Sequence, residues 1–133
     1  MSNRNGSEEQ LYEVVDSFAN NYFNLRYSNA MRFCTDDSHR WLKWAASNVT
    51  QEDIDVLHKT DKAASVQVES AESINDSLST VRITVNNYLL MDSIGKPGRI
   101  VKSDNFIIRA IIKDGKWLVR MEALPRSEKK SHD

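Results

Sequence analysis

The sequence has few residues that break or cross-link a chain. Four glycines and two prolines in 133 residues exclude a collagen-like, fibrous or low-complexity protein. The one cysteine, Cys34, excludes an internal disulfide, and its apolar surroundings are typical of a small buried hydrophobe. No apolar run approaches the roughly 20 residues of a membrane-spanning helix, so the sequence predicts no membrane span.

An excess of charge of one sign is also lacking. The 18 basic and 19 acidic side chains give a net charge of −1, which provides no overall field to attract DNA, RNA or lipid. We therefore expect no nucleic-acid partner. The polar stretch Met1–Glu9 lacks the apolar core of a signal peptide, so the chain as written is expected to be soluble.

The length and composition that remain are those of one globular domain. Hydrophobic residues make up 40% of the chain and charged residues 28%, and 133 residues can bury about two-thirds of their unfolded surface. We expect residues 1–7 to be a linker, residues 8–125 to form a single domain, and residues 126–133 to be a charged tail.

The first half of the chain has helical periodicity. Ser7 and Gln10 fit a capping box, and an apolar stripe from Leu11 to Leu25 recurs at three- and four-residue steps. A break is predicted at residues 27–29, followed by a short helix from Ala30 to Thr35. A third helix, capped by residues 36–38, and a fourth, capped by Thr50, complete this half.

After about residue 61 the apolar period changes to two, which is typical of strands. One strand is predicted from Ala64, a turn at residues 75–77, and then a long strand. Its apolar face is Val81, Ile83, Val85, Leu89 and Met91, with Asn87 interrupting it, and its other face is Arg82, Thr84, Asn86 and Tyr88. A loop is predicted at Ile94–Arg99 around Pro97.

Ser103–Arg120 is predicted to be a β-hairpin turning at Asp114-Gly115, because a type I′ turn needs positive φ angles that Gly supplies without strain. Counting outward, the register opposes Lys113 to Lys116 and continues to Phe106 opposite Ala123. One face is wholly apolar and is expected to pack on the helices: Phe106, Ile108, Ala110, Ile112, Trp117, Val119 and Met121.

The second hairpin face mixes apolar and basic residues. Arg109 opposite Arg120 requires a carboxylate, a bound anion or solvent between the two guanidinium groups. Plain solvation is one interpretation. The other is a homodimer joined through the sheet, since apolar residues framed by arginines suit a protein contact. Its candidate residues are Ile107, Arg109, Ile111, Leu118 and Arg120.

Motifs that would predict chemistry are missing. His39, His58 and His132 do not have metal-ligand spacing, so neither a metal nor a cofactor is predicted. No catalytic residue is assigned. The candidates for lining a pocket are Tyr22, Trp41, Trp44 and Asn87, although residues of this kind are more often plain core or rim.

The order of elements, helices first and then about four antiparallel strands, predicts an α+β fold with three to four helices packed on a curved sheet. With the DGKWLV hairpin at residues 114–119, it resembles the cone-shaped nuclear transport factor 2-like superfamily. More narrowly, it is similar to small Bacteroides-type envelope-associated members of unknown function.

The resemblance implies a cone-shaped cavity but allows several functions, because members include enzymes, adaptors and binding proteins. We expect a non-enzymatic module that binds a small apolar ligand or another protein. The alternatives are an isomerase or dehydratase that uses the cavity, and a structural subunit of an envelope assembly. An envelope or periplasmic location is expected if a signal or anchor preceded residue 1.

Overall fold

The computed structural model describes residues 8–59, 63–90 and 99–125, and it confirms the α+β fold. Helices come first, and a four-stranded antiparallel sheet follows with the strand order β1-β2-β3-β4. The helices are α1 (Glu8–Phe23), α2 (Tyr27–Ala30), α3 (His39–Ser47) and α4 (Gln51–Lys59), with 3₁₀ turns at Met31–Phe33 and Asp36–Ser38. The strands are β1 (Ser65–Asn75), β2 (Leu78–Leu90), β3 (Arg99–Lys113) and β4 (Lys116–Val119).

Helix α1 ends earlier than its apolar stripe predicts. Leu25 has a φ angle of 63°, the left-handed conformation that stops a helix. The Leu25 N–H donates to the Tyr22 carbonyl at 3.1 Å, and the Arg26 N–H donates to the Asn21 carbonyl at 2.8 Å. These two bonds form a Schellman-type cap. The predicted break at residues 27–29 is therefore wrong, and the second helix begins at Tyr27 instead of Ala30.

The start of α4 has the reciprocal cap that the sequence predicts. The Asp53 N–H donates to Oγ1 of Thr50 at 3.1 Å, and the Thr50 N–H donates to Oδ2 of Asp53 at 2.9 Å. The predicted cap of α3 differs, because residues 36–38 form a 3₁₀ turn and Ser38 makes no side-chain cap. Ser7 lies outside the described residues.

The hairpin between β3 and β4 has the predicted turn and register. Asp114 and Gly115 have φ angles of 52° and 83°. The pairs run from Lys113 opposite Lys116 to Ala110 opposite Val119. The seven residues of the predicted core face are buried, except Ile112, which is half-buried against the same core. The predicted turn between β1 and β2, at residues 75–77, is also present.

The ladder ends at Val119, and only the Arg120 N–H, which donates to the Arg109 carbonyl, continues it, so the pairs predicted further out, such as Ile108 with Met121, do not form. The chain turns instead toward the segment after α2. The Thr35 N–H donates to the Val119 carbonyl at 2.9 Å, and the Met121 N–H donates to Oγ of Ser38 at 2.8 Å. Residues of the helical half of the chain therefore supply the hydrogen bonds that a longer β4 would have made with β3.

Two amide side chains, one in α1 and one directly after it, bind the two edges of the sheet. Oε1 of Gln10 accepts from the Trp117 N–H at 2.7 Å, while its Nε2 donates to the Trp117 carbonyl at 3.2 Å. Asn24 binds both backbone groups of Ala64 in the same way, at 2.9 and 3.1 Å. Because β4 and β1 are the two edge strands, α1 is fixed against both sides of the sheet.

One continuous apolar core lies between α1 and the concave face of the sheet, and it spans residues from Leu11 to Met121. Phe18, Leu42, Val81, Ile83 and Val85 are among its fully buried side chains. The predicted linker, Met91, the tail at residues 126–133 and residues 94–98 of the predicted loop lie outside the described residues. The last residue of that loop prediction, Arg99, is instead the first residue of β3.

Candidate functional site

The face of the sheet turned away from the core carries an apolar patch near the β1-β2 turn. Leu78 pairs with Ile111, and Ile111 pairs with Leu118, so three large side chains lie side by side across three strands. All three are half-buried and none belongs to the core cluster. Ile107, 48% exposed, lies four residues before Ile111 on β3 and therefore on the same face, and Ile74, 52% exposed, lies at a register shift in β1 next to Asn75, the partner of Leu78. We call these five residues the outer patch.

The two arginines of the predicted interface each have an acidic partner. The Arg120 N–H donates to the Arg109 carbonyl at 2.9 Å, so the two residues are neighbours across the strands, as predicted. Nη1 of Arg109 lies 2.8 Å from Oε1 of Glu122, and Nη2 of Arg120 lies 3.3 Å from Oδ2 of Asp37. Among the three solutions that the sequence left open, carboxylates are present.

Asp37 connects this face to a buried chain of hydroxyl groups. The Ser38 and Thr35 hydroxyls lie 2.7 Å apart, and the Thr35 hydroxyl donates to Oδ1 of Asp37. The hydrogen bond from Thr35 lowers the pKa of Asp37 from its ordinary value, and Arg120 and Arg40 lower it further. A charged Asp37 is therefore the stable partner of Arg120 at neutral pH.

The interior holds a cluster of six aromatic rings whose centroids lie 4.8 to 5.7 Å from their neighbours. Tyr22, a predicted pocket residue, contacts three of the other rings. Tyr22 is half-buried and packs against the core. Burial raises the pKa of Tyr22 and of Tyr27, and the charge of Asp53 raises that of Tyr27 further. The members are Phe18, Tyr22, Phe23, Tyr27, Tyr88 and Phe106.

A buried tyrosine and carboxylate meet at the end of this cluster. The Tyr88 hydroxyl donates to Oδ2 of Asp104 at 2.6 Å, and the two residues are 2% and 8% exposed. The Tyr88 ring also packs edge-on against Phe23 and Phe106. The sequence predicts no such pair, because strict alternation places Tyr88 on the outer face.

Asn87 is the cause of that error. Its φ angle is 58°, and the ladder with β3 pairs the residues on either side of it but not Asn87 itself. The left-handed backbone turns the strand, so Tyr88 enters the core in place of Asn87. Asn tolerates the left-handed conformation better than most residues do, and the presence of Asn at position 87 is the one signal of this irregularity in the sequence.

The remaining predicted pocket residues lie in different places. Trp41 is half-buried against the core, and its Nε1 is buried without a hydrogen-bond partner among the described residues. Asn87 is half-buried on β2. Trp44 is 55% exposed and outside the core cluster, so it lies on the surface and not in the interior. The structure therefore brings Tyr22 and Trp41 to the core but not Trp44.

Within residues 8–59, 63–90 and 99–125, no three His, Cys, Asp or Glu side chains are grouped to hold a metal ion. His39 lies at the start of α3 with its Nε2 3.0 Å from the Met31 carbonyl, and His58 is exposed in the last turn of α4. None of the described helices is long and apolar enough to cross a membrane. Neither the protein-family models nor the curated proteins compared with this chain include a match.

Proposed function

We propose that this chain is a non-enzymatic protein-interaction module with a nuclear transport factor 2-like fold, and that its outer patch joins two copies as a homodimer. The order of four helices and four antiparallel strands supports the choice of fold. The outer patch supports the interaction: its five large apolar side chains remain outside the core, and two of them are about half exposed. Monomeric proteins seldom leave such a cluster in contact with water.

The charges around the outer patch are compatible with contact between two copies. Arg109 and Arg120 are each paired with a carboxylate of their own chain, so they would not leave unbalanced charge at a shared interface. An apolar centre surrounded by paired charges is the usual anatomy of a protein interface. Since a two-fold dimer presents the same surface twice, Ile111 and Leu118 would meet their counterparts near its centre.

Sedimentation velocity tests the homodimer. We expect the wild-type chain to sediment as a dimer and both Leu118→Asp and Ile107→Asp to sediment as monomers. Ile107 is largely exposed, so its substitution separates loss of contact from loss of folding. Gln67→Asp is the matched control, because Gln67 is an exposed residue of β1 outside the outer patch and receives the same carboxylate.

A monomeric wild type contradicts the proposal. A dimer that persists in both folded Asp variants contradicts the assignment to the outer patch. Far-ultraviolet circular dichroism of each variant shows whether it is folded.

A second candidate function is favoured by the buried pair of Tyr88 and Asp104. Catalytic members of the fold class that this chain resembles hold an acidic or histidine base, often with a tyrosine donor, inside the cone. A dry site strengthens hydrogen bonds to charge that develops during a reaction. The aromatic cluster beside the pair suits a small, mostly apolar ligand, whether it is bound or converted by an isomerase or dehydratase type of reaction.

Stability measurements separate a functional pair from a structural one. A buried polar pair that is kept for function often costs stability, so replacing both residues by apolar ones raises the free energy of unfolding. Replacing a pair that stabilises the fold lowers the free energy of unfolding. If this second function is correct, Tyr88→Phe/Asp104→Leu unfolds at higher urea than the wild type. Native mass spectrometry of the purified wild type should then detect a bound small molecule that the double variant lacks. A less stable double variant and an empty wild type contradict it.

A further inference from the structure

Helix α3 presents an exposed face whose chemistry differs from that of the other helices. Trp44 is 55% exposed, the largest value among the exposed large apolar side chains of the described residues. Arg40 and Lys43, four and one residues before it, are also exposed, while Leu42 and Ala45 face the core. One side of α3 therefore anchors the helix, and the other exposes an indole beside two cations.

Charge is distributed unevenly over the helices. The sequence of α3 contains two basic residues and no Asp or Glu, whereas α1 contains four acidic residues and no basic one. The contact of His39 with the Met31 carbonyl holds the neighbouring 3₁₀ turn against the start of α3. Asp37 pairs with Arg120 and its charge also interacts with Arg40, and Asp36 is a second exposed acid at the margin.

Arg40 is held against the half-buried tryptophan that follows it. Its guanidinium carbon lies 5.2 Å from the ring centroid of Trp41, within the range of a cation–π contact. Trp41 itself is half-buried against the core. The cation, four residues before Trp44 on α3, is therefore positioned by a ring that the fold has already fixed.

We propose that this α3 face, made of Arg40, Lys43 and Trp44, binds the surface of a bilayer that contains anionic phospholipids. Tryptophan is enriched at the headgroup level of membranes, and each Lys or Arg near an anionic leaflet adds to the attraction. A protein partner fits less well, because one exposed indole is far smaller than the roughly 800 Å² that each side of a stable interface buries. A bilayer needs no complementary shape.

Co-sedimentation with vesicles tests this proposal. We expect the wild type to sediment with vesicles of phosphatidylcholine and phosphatidylglycerol, but not with phosphatidylcholine alone, and to be released by high salt. The emission of Trp44 should shift to shorter wavelength on binding. Trp44→Ala and Arg40→Glu/Lys43→Glu should each weaken binding at least about tenfold. The control is Lys113→Glu, at an exposed residue beside the β3-β4 turn and outside the α3 face.

The proposal is overturned if the wild type does not bind anionic vesicles. It is also overturned if folded Trp44→Ala binds like the wild type, or if Lys113→Glu weakens binding as much as the α3 variants. If the wild type binds no vesicles and Trp44→Ala prevents dimerisation, the α3 face is a protein contact and not a membrane contact. The sheet variants Leu118→Asp and Ile107→Asp leave the α3 face unchanged, so the two proposals are tested separately.

Discussion

The Tyr88 hydroxyl reaches Asp104, at 2.6 Å, because the residue before Tyr88 is in the left-handed conformation. In a regular strand, Tyr88 would lie on the same face as Arg82 and Thr84, away from the core. The φ angle of 58° at Asn87 reverses that order for one residue. A single backbone angle thus decides whether β2 contributes a phenol to the interior.

Substitutions at Asn87 should follow backbone preference and not size or polarity. Asn87→Gly should match the wild type or exceed it slightly, because Gly adopts positive φ without strain. Asn87→Val should destabilise the fold by about 1–3 kcal/mol, because a β-branched residue is strained there. Urea unfolding measures both. Asn86→Val, one residue earlier on the same strand, is the control and should cost less than Asn87→Val.

The sequence predicts best the features that depend on neighbouring residues. Asp114-Gly115 determines its own turn, and the turn determines the register of Ile112 with Trp117. This register also places the core face and the outer patch on opposite sides of the sheet. What alternation cannot show is where a strand stops alternating, as at Asn87, because the conformation depends on how well the buried ring of Tyr88 packs.

Gln10 should contribute to stability more than its position on a helix surface suggests. Gln10→Ala removes the side-chain oxygen and nitrogen that bind the N–H and the carbonyl of Trp117. A partly buried backbone group that loses its partner costs about 1–3 kcal/mol. We expect a lower urea midpoint with an unchanged slope. Gln67→Ala, at an exposed position of β1, should change the midpoint little. Equal effects of the two substitutions would contradict the role given to Gln10.

Ser38 should be one of the least replaceable small residues. It is fully buried, and its oxygen accepts from the Met121 N–H at 2.8 Å while contacting the Thr35 hydroxyl. Ser38→Ala leaves the amide without that acceptor and should cost about 1–3 kcal/mol in thermal or urea unfolding. Ser47→Ala, on the exposed end of α3, is the matched control. A Ser38→Ala variant as stable as Ser47→Ala would show that this network does not support the end of β4.

Cys34 should resist alkylation in the folded state. Burial, with the nearby charges of Asp36 and Asp37, raises the pKa of its thiol from 9.0 to about 12, so very little reactive thiolate exists at pH 8. Because the pKa is raised, the folded state favours the neutral thiol. The contribution of this group to the free energy of unfolding is therefore fully present below pH 9 and declines as the pH rises above 9. Iodoacetamide at pH 8 should react at least about a hundredfold more slowly with the folded chain than with the urea-unfolded chain. Similar rates would contradict this assignment.

The polar contacts at the ends of the sheet could not be predicted, for a physical reason. Gln10 fits a capping box in its local sequence, yet its amide binds Trp117. Ser38 is predicted as a cap residue, yet its hydroxyl accepts from the Met121 N–H, and Thr35, predicted to end the second helix, donates its N–H to the Val119 carbonyl. Local patterns report which groups need hydrogen bonds. The partner is chosen by packing between parts of the chain that are remote in sequence.

The distance along the chain between these partners has a consequence for how the protein is made. Gln10 and Trp117 are 107 residues apart, and Ser38 and Met121 are 83 apart. The first helix can obtain its edge contact only after the last strand has been synthesised, and loop-closure entropy must be overcome before that contact adds stability. A nascent chain that ends before β4 would expose the core side of the sheet. The protein should therefore complete its fold only after the residues up to Met121 have left the ribosome.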